Sequence, residues 1–370
     1  MKRVVIKVGT STLTHPETGA PDRVFINALA AQIAAQIAGG REMILVTSGA
    51  VGAGAARLGL PERPRNLPDK QAAASVGQSV LMALYADIFA NYGLPVGQVL
   101  LTRDDFAVRP RYLNARNTFA SLLLFGAIPV VNENDTVATD EIKLGDNDTL
   151  AALVASLTGA DGLIILSDIA GLFNKNPATH PDATLVERVE KLDAATLAMA
   201  GDAGTAGGTG GMRTKLAAAR IAASSGVALW IAHGRRVNVV ADCLNHVSGA
   251  GTYFVPRPKR PSAKKRWLAW GGEPTGTLFV NDCARMALEN EGRSLLGVGA
   301  TGVAGNFAAG DTVRICLDET GAEFGRGVVR YDAASCRKLV GVVSGAMANA
   351  LGGVAAPHTE LIHRDEMALY

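Results

Sequence analysis

Short apolar runs rich in β-branched residues alternate with helix-like segments through the first two-thirds of the 370-residue chain. The runs that predict strands lie at residues 4–8, 43–46, 96–101, 128–131, 162–168 and 227–232, and we expect the last to close the domain. The segments that predict helices lie at residues 22–38, 69–92, 112–125, 150–157 and 212–222. This alternation predicts an α/β fold, a mostly parallel sheet sandwiched by helices.

Polar side chains follow the fourth predicted strand directly. Residues 132–135, NEND, come off its carboxyl end, and in open α/β sheets ligands bind outside that end. After a polar excursion, residues 145–148, GDND, precede the next predicted helix. Asn and Asp are also favoured helix caps, so the second cluster alone could be a cap and a turn. Capping does not explain both clusters, which together predict a site for a small zwitterionic or anionic ligand.

Lys7 interrupts the first apolar run and is followed by Gly9-Thr10-Ser11. A lysine in a buried strand is costly unless it is paired or reaches a ligand, so a lone lysine favours an edge strand with its ammonium group in solvent. A glycine followed by two hydroxyl residues favours the close approach of a phosphate instead. From the residues alone, both interpretations of Lys7 remain open.

Three further loops after predicted strands carry candidate ligand groups. Ser48 follows the second strand in a turn of small residues, and Ser167-Asp168 ends the fifth, where Asp168 alone could also be a helix cap. The glycine-rich segment 201–215 leads into a predicted helix, an arrangement that binds anions through free N–H groups and the helix dipole, although its composition also suits a linker. Lys215 lies one turn inside that helix, where it could reach back to a phosphate.

Composition excludes several classes of protein. The net charge of +2 argues against dominant binding to nucleic acid or membranes, and no apolar segment approaches the length of about 20 residues that spans a bilayer. We therefore expect a cytoplasmic protein. The four cysteines are widely separated and the six histidines show no metal-ligand spacing, so we predict neither disulfides nor a zinc site.

A change of composition to Pro, Lys and Arg over residues 256–272 predicts a domain boundary. Short strands at 276–280, 298–301, 312–317 and 325–330, with one helix at 282–290 and glycine turns, predict a small β-rich module beyond it. We expect four parts, namely an α/β domain (1–255), a basic linker (256–272), a β-rich domain (273–355) and a loosely attached tail (356–370).

Five motifs, in this order along the chain, resemble those of the amino acid kinase family. They are KVGTS at 7–11, VTSGA at 46–50, VNEND at 131–135, GDND at 145–148 and GTGGMRTK at 208–215. The resemblance spans residues 1 to about 255. Ser167 departs from the family, which more often has Thr before Asp, but the hydroxyl is kept. The second domain, with GRSLL at 292–296 and GNFAAGD at 305–311, resembles a PUA module.

The resemblance implies an ATP-dependent kinase, and within the family it is greatest to the members that phosphorylate the γ-carboxylate of L-glutamate, the first step of proline biosynthesis. It implies that glutamate is bound by Ser48, Asp135 and Asn147. It implies that Lys7 and Lys215 neutralise phosphoryl oxygens, with Asp148 orienting both, and that Mg²⁺ bridges the ATP phosphates through protein ligands that stay unknown. The residues that it assigns to ATP are Lys7, Ser167, Asp168, Thr209, Gly210, Gly211, Met212, Arg213, Thr214 and Lys215. A carboxylate with an ordinary pKa of about 4.3 is already ionised, so the absence of a candidate histidine base fits this reaction.

Partners and alternatives follow from the same resemblance. It implies inhibition by proline, with residues 136–143 as the responsive loop, and a homo-oligomer, either a dimer or a tetramer. Acetylglutamate and aspartate kinases share the glycine-rich loop that binds phosphate, so they remain alternatives. The NEND cluster and the PUA-like module favour glutamate as the substrate. A different class of function, RNA binding through the PUA-like domain and the basic segment 257–266, would leave the first domain unexplained.

Overall fold

The computed structural model of the protein describes residues 1–15, 17–138, 147–199, 211–258 and 260–370. Within this part of the chain, residues form two compact units. The first comprises Met1–Asp105 and Pro110–Arg260, and the second comprises Phe106–Arg109 and Pro261–Tyr370. Most of the predicted glycine-rich loop, including Thr209 and Gly210, lies outside the described residues.

The described residues of the first unit alternate between strands and helices as the sequence predicts. In chain order the elements are β1 (Arg3–Val8), α1 (Thr10–Leu13), α2 (Arg23–Ala38), β2 (Glu42–Val46), α3 (Ala50–Leu58), α4 (Leu67–Ala90), β3 (Val96–Leu101), α5 (Arg103–Ala107), α6 (Arg109–Leu124), β4 (Ile128–Glu133), α7 (Asn147–Thr158), β5 (Gly162–Ser167), β6 (Arg188–Val189), α8 (Ala194–Ala198), α9 (Met212–Ser224), β7 (Ala228–His233), α10 (Val239–Leu244) and β8 (Thr252–Phe254).

Among these residues the strands form one eight-stranded sheet in the order β3-β4-β2-β1-β5-β7-β8-β6. The six strands from β3 to β7 in this order run parallel, whereas β8 pairs antiparallel to β7. The expectation that the strand at 227–232 closes the domain is therefore wrong. Two short strands, of three and two residues, extend the sheet beyond it.

β1 lies inside the sheet, between β2 and β5, so it is not an edge strand. Side chains of a strand alternate between the two faces of the sheet. Val4, Ile6 and Val8 pack on one face, in a core shared with α2, α4 and α10. Lys7 therefore points to the opposite face, toward α7 and α9.

Two loops at the carboxyl edge of the sheet, before α2 and between β2 and α3, are held in place by particular residues. Asp22 accepts a hydrogen bond from the backbone N–H of Phe25 (3.1 Å) and so caps α2. Gly49 has φ +91°, a left-handed conformation that L side chains rarely adopt, at the turn from β2 into α3. This turn holds Ser48 at the strand end.

Among the described residues, the helix α4 is long and apolar enough, by length and composition only, to cross a membrane. This helix differs from the prediction that no apolar segment approaches that length. Its apolar stripe belongs to the core of the first unit, where Leu81, Tyr85 and Ile88 are almost completely buried. Gly77 allows close packing, since a Cβ there would lie 1.8 Å from the backbone oxygen of Ala50 in α3. These contacts are those of a core helix.

The second unit is built on a five-stranded sheet in the order β10-β9-β11-β12-β13. Its core includes Leu278, Val280, Val313 and Ile315. Its described elements are α11 (Ala263–Trp270), β9 (Gly276–Val280), α12 (Asp282–Glu291), β10 (Ala300–Gly305), β11 (Thr312–Leu317), β12 (Glu323–Val329), α13 (Ala333–Leu339), α14 (Met347–Ala350) and β13 (Ile362–Leu369), with two single 3₁₀ turns at Gly297–Gly299 and Ser344–Ala346.

Both ends of the second unit differ from expectation. The segment predicted as a loosely attached tail contains β13, which pairs antiparallel with β12 and buries Ile362. The segment predicted as a basic linker contains α11, whose Leu268 and Ala269 are buried against β13. An amphipathic strand and a basic helix with one apolar side are hard to distinguish from a tail and a linker when their packing partners are unknown.

Candidate active site

A buried cluster of three charged side chains lies at the carboxyl edge of the parallel sheet. The ammonium Nζ of Lys7 in β1 lies 2.6 Å from Asp148 Oδ1, and Nζ of Lys215 in α9 lies 3.1 Å from Asp148 Oδ2. The Asp148 side chain is fully buried, and those of Lys7 and Lys215 are only 9% and 5% exposed. The ammonium groups of two lysines that lie far apart in the sequence thus contact one carboxylate. The interpretation of Lys7 as a solvent-facing edge residue is wrong.

The charges of this cluster explain the acidity of Asp148. Burial would raise the pKa of the Asp148 carboxyl, but the Lys7 and Lys215 ammonium groups outweigh burial and hold that pKa below its ordinary value. Asp148 is therefore a carboxylate, and the three groups carry a net charge of about +1. A site of this charge, nearly closed to water, attracts an anion such as a phosphoryl group.

The second polar cluster consists of amide and hydroxyl groups and lies directly beside the first. Asn147 is the residue before Asp148, and its Nδ2 lies 2.6 Å from the Thr47 carbonyl oxygen and 2.7 Å from Ser48 Oγ. The same Nδ2 lies 3.0 Å from Asn132 Oδ1. The side chain of Asn147 therefore joins the end of β2 to the end of β4, as expected if the two clusters form one site. The possibility that residues 147 and 148 serve only as a helix cap is excluded by these contacts.

The beginning of α9 faces the charged cluster. Its N-cap residue is Gly211, which has no side chain to cap the helix, and the helix starts at Met212. Thr214 Oγ1 lies 3.0 Å from Asp148 Oδ2 and 2.8 Å from the Gly211 carbonyl oxygen. Arg213 is exposed. The helix dipole and the backbone N–H groups of this first turn add to the positive potential near the lysines.

The remaining predicted site residues also lie at strand ends. Ser167 is buried at the end of β5, beside the β1 terminus, and its Oγ donates to Asp168 Oδ1 at 2.9 Å. Asp168 itself is exposed, and Asp135 is half-buried just after β4. These residues share one edge of the sheet with the two clusters.

Two buried residues of α4 that sequence reasoning missed also contact this edge. Tyr85 Oη lies 2.7 Å from Thr47 Oγ1, and Gln78 Oε1 accepts a hydrogen bond from Asn132 Nδ2 at 2.9 Å. Burial raises the pKa of Tyr85, so its hydroxyl stays neutral. A signal was present in the sequence, because the polar residues Gln71, Gln78 and Tyr85 recur every seven positions and so lie along one face of α4.

The fold and the site define a class of small-molecule kinase. Residues 2–233 match the family model "Amino acid kinase family", and residues 276–348 match the model "PUA domain". The chain therefore belongs to the amino acid kinase family and carries a C-terminal PUA domain. The predicted fold class and the predicted family are confirmed, and the family implies the use of ATP.

Comparison with curated proteins identifies close relatives. The chain is 47% identical over 366 residues to "Glutamate 5-kinase" of Moorella thermoacetica, covering 99% of this chain and 96% of that protein. It is 46% identical over 367 residues to "Glutamate 5-kinase" of Synechocystis sp., covering 99% of this chain and 97% of that protein. Among solved structures it is similar to carbamate kinase from Giardia lamblia bound to AMP-PNP, with a TM-score of 0.50 and 19% identity over 69% of this chain and 98% of the other. This last similarity shows the fold alone.

Proposed function

We propose that this chain is a glutamate 5-kinase, which transfers the γ-phosphoryl group of ATP to the γ-carboxylate of L-glutamate. The product would be L-glutamyl 5-phosphate, and the reaction would be the first step of L-proline biosynthesis. The observation that carries the proposal is the buried Lys7–Asp148–Lys215 cluster beside the amide cluster of Asn147. Curated relatives that align over nearly the whole chain at 46–47% identity bear the same name.

The reaction needs charge neutralisation more than proton transfer. The γ-carboxylate of glutamate is ionised near neutral pH and can attack without a base, but it approaches an anionic phosphoryl group. Lys7 and Lys215 would bind the phosphoryl oxygens and reduce this repulsion, and they are already fixed by Asp148 before the substrates arrive. Asp148 is a positioning residue, since both its oxygens are occupied by the lysines.

The residues present fit ATP. Lys7, Lys215 and the first turn of α9 form a cationic, N–H-rich surface for its phosphates, and Ser167 and Asp168 lie on the neighbouring strand end. We assign Gly211, Met212, Arg213 and Thr214 to the same role, while the residues predicted at 209 and 210 lie outside the described part of the chain. Bound ATP would supply the phosphoryl group that is transferred.

A Mg²⁺ ion would depend mainly on ATP for its ligands. In the part of the chain that the structure describes, no cluster of three or more His, Cys, Asp or Glu side chains could hold a metal. Mg²⁺ commonly keeps water molecules and binds substrate phosphates with one or two carboxylates. Asp168 is exposed at the end of β5 and could be one of them.

Glutamate would bind in the amide half of the site. We propose that the hydroxyl of Ser48 donates a hydrogen bond to the carboxylate that reacts, and that Asn147, whose Nδ2 donates to Ser48 Oγ, holds this hydroxyl in place. Asp135 would pair with the α-ammonium group. The loop at residues 136–143 that we predict to respond to proline lies mostly outside the described residues, and proline inhibition stays a proposal that glutamate kinetics with added proline would test.

Three other predictions stay proposals. The domain boundary at 255 can be tested by limited proteolysis, whereas the boundaries at 272 and 355 are replaced by the packing of α11 and β13 in the second unit. A homo-oligomer can be tested by sedimentation, where a monomer would contradict it. A cytoplasmic location can be tested by fractionation of the cells that produce the protein.

The test of the function is an ATP- and Mg²⁺-dependent hydroxamate assay, in which hydroxylamine traps any acyl phosphate. It is run in parallel on L-glutamate, N-acetyl-L-glutamate and L-aspartate. A signal with glutamate alone is expected. A signal with only one of the other two acceptors would identify that acceptor as the substrate in place of glutamate. The absence of any signal from folded protein that binds ATP would refute carboxylate phosphorylation.

A further inference from the structure

The side-chain amide of Gln78 in α4 is buried, and among the described residues only its oxygen has a hydrogen-bond partner. Its Oε1 accepts a hydrogen bond from Asn132 Nδ2 at 2.9 Å, but its Nε2 has no hydrogen-bond partner within the described ranges of the chain. The residue is only 8% exposed. A buried N–H donor without an acceptor is costly, so it requires an explanation.

The orientation of this amide is fixed by a chain of hydrogen bonds that starts at the backbone. Asn147 must present its Nδ2 to the carbonyl oxygen of Thr47, at 2.6 Å, so this nitrogen also faces Asn132 Oδ1. The backbone N–H of Glu133 donates to the same Asn132 oxygen at 3.0 Å. Asn132 Nδ2 therefore points to Gln78, whose oxygen must accept. Exchanging the oxygen and nitrogen of Gln78 would place two donors face to face.

The position of Gln78 places its Nε2 at the substrate edge of the first unit. Gln71, Gln78 and Tyr85 are two helical turns apart, so they lie on one face of α4. Gln71 Nε2 donates to the Ala138 carbonyl oxygen at 3.1 Å, and Tyr85 Oη contacts Thr47 Oγ1. This face of α4 thus runs along the loops that follow β2 and β4, and Gln78 is in its middle.

We propose that Gln78 is a substrate-binding residue whose Nε2 donates a hydrogen bond to the α-carboxylate of the bound amino acid. The inference rests on the proposed function, since it takes the ligand to be an amino acid with a second, reacting carboxylate. The reacting carboxylate must lie at the lysines beside Asp148. Gln78 is separated from Asp148 by Asn147 and Asn132 in the hydrogen-bonded chain, so it meets the other end of the ligand.

Two substitutions separate direct binding from the positioning of Asn132. Gln78→Glu keeps the shape and the Oε1 acceptor for Asn132 but replaces the Nε2 donor with a second oxygen. Gln78→Met removes both groups at similar volume. The matched control is Gln32→Met on α2, where the glutamine Oε1 accepts from the backbone N–H of Val240 (3.1 Å), on the face of the sheet opposite the lysines.

Steady-state kinetics at pH 8 give the main result. We expect the KM for glutamate to rise about tenfold or more in both Gln78 variants, a change of about 1.4 kcal/mol or more in binding, with kcat and the KM for ATP within about threefold of the unmodified protein. The Gln32→Met control should leave all three parameters within about twofold. A glutamate KM within twofold of the unmodified value in Gln78→Glu would overturn the proposal, because that variant retains the bond to Asn132.

Thermal melting without ATP separates this proposal from the proposed function. If the unmodified protein shows no turnover but L-glutamate raises its melting temperature, and Gln78→Glu loses that rise, the binding role of Gln78 stands while the kinase activity on glutamate fails. A rise that is unchanged in Gln78→Glu overturns the role of Gln78 alone. Absence of both turnover and any rise with the unmodified protein overturns both.

Discussion

Replacing Asp148 by Asn should destabilise the first unit strongly, because it leaves two buried ammonium groups without a carboxylate. At an effective dielectric constant of about 20, a unit charge pair at 2.6 Å is worth about 6 kcal/mol and one at 3.1 Å about 5 kcal/mol, before the cost of desolvation. Removal of one partner from a buried ion pair typically costs about 3–5 kcal/mol. We expect a loss in this range for Asp148→Asn.

The matched comparison is Lys7→Met, which has the opposite effect on the charge of the cluster. It leaves one carboxylate paired with Lys215 and lowers the cluster charge from +1 to about 0, whereas Asp148→Asn raises it to about +2. The loss of unfolding free energy in Lys7→Met should therefore be smaller by about 2 kcal/mol or more. Equal losses in the two variants would show that packing, and not charge, determines the effect.

Urea unfolding of the first unit measures both losses. Trp230 belongs to this unit, while Trp267 and Trp270 belong to the second, so a background with both of these replaced by Phe makes the fluorescence report on the first unit. A difference of less than about 1 kcal/mol between Asp148→Asn and the parent would refute the reasoning. Inorganic pyrophosphate should recover part of the loss, since its oxygens can replace the carboxylate.

The pH dependence of this difference follows from the direction of the pKa shift. The pKa of Asp148 is below its ordinary value of 3.8 in the folded protein, so its contribution to stability is fully present above that value. As the pH falls below about 4, the unfolded chain takes up the proton first, and the contribution is lost progressively. The difference between the parent and Asp148→Asn should therefore be constant near pH 7 and shrink in acid.

Three further predictions concern the lysines, the contact between helices and the last strand. Lys7→Met and Lys215→Met should each lower kcat by on the order of 10²-fold with unchanged circular dichroism, and near-normal turnover would contradict their assignment. Gly77→Ala, which in an ordinary helix interior would stabilise by about 1 kcal/mol, should instead destabilise by about 1–3 kcal/mol, because its Cβ would lie 1.8 Å from the first backbone oxygen of α3; a melting temperature equal to or above that of the parent would contradict this. Removal of residues 361–370 should abolish the melting transition of the second unit in calorimetry, since Ile362–Leu369 is a paired strand, and a retained transition would restore the view that this segment is a loose tail.

Most of the parallel sheet could be predicted because each strand can be identified from its own short segment of sequence. Buried parallel strands are short apolar runs, and their carboxyl ends must share one edge of the sheet, which is sufficient to bring Lys7, Ser48 and Asn147 together. The strands β6 and β8 were missed because two or three residues carry no periodicity. The strand β13 was missed because an amphipathic segment near a chain end is identified as a strand only by its partner, β12.

The role of Gln78 could not be predicted for a related reason. A polar residue on the buried stripe of a helix signals that it has a partner, but the identity of that partner depends on how the helix packs. Here the packing is set by Gly77 and Gly54, which allow α4 to approach α3 closely and so bring Gln78 to Asn132. The seven-residue spacing of Gln71, Gln78 and Tyr85 indicates a polar face of α4, but it does not identify the residues that this face contacts.

The two polar clusters are joined by the peptide bond between Asn147 and Asp148. This connection limits how a substrate can lie in the site. Asn147 and Asp148 are consecutive residues at the start of α7, and consecutive helical side chains diverge by about 100°. One therefore reaches the amides at the ends of β2 and β4, while the other reaches the lysines of β1 and α9. A ligand whose reacting carboxylate lies between Ser48 and the lysines would extend its other end toward Asn132 and Gln78. If Gln78 binds an α-carboxylate as proposed, this arrangement favours a dicarboxylate over a monocarboxylate. Residues in the first turn of α7 would therefore contribute both to the specificity for the acceptor and to the rate of phosphoryl transfer. A substitution there should affect both.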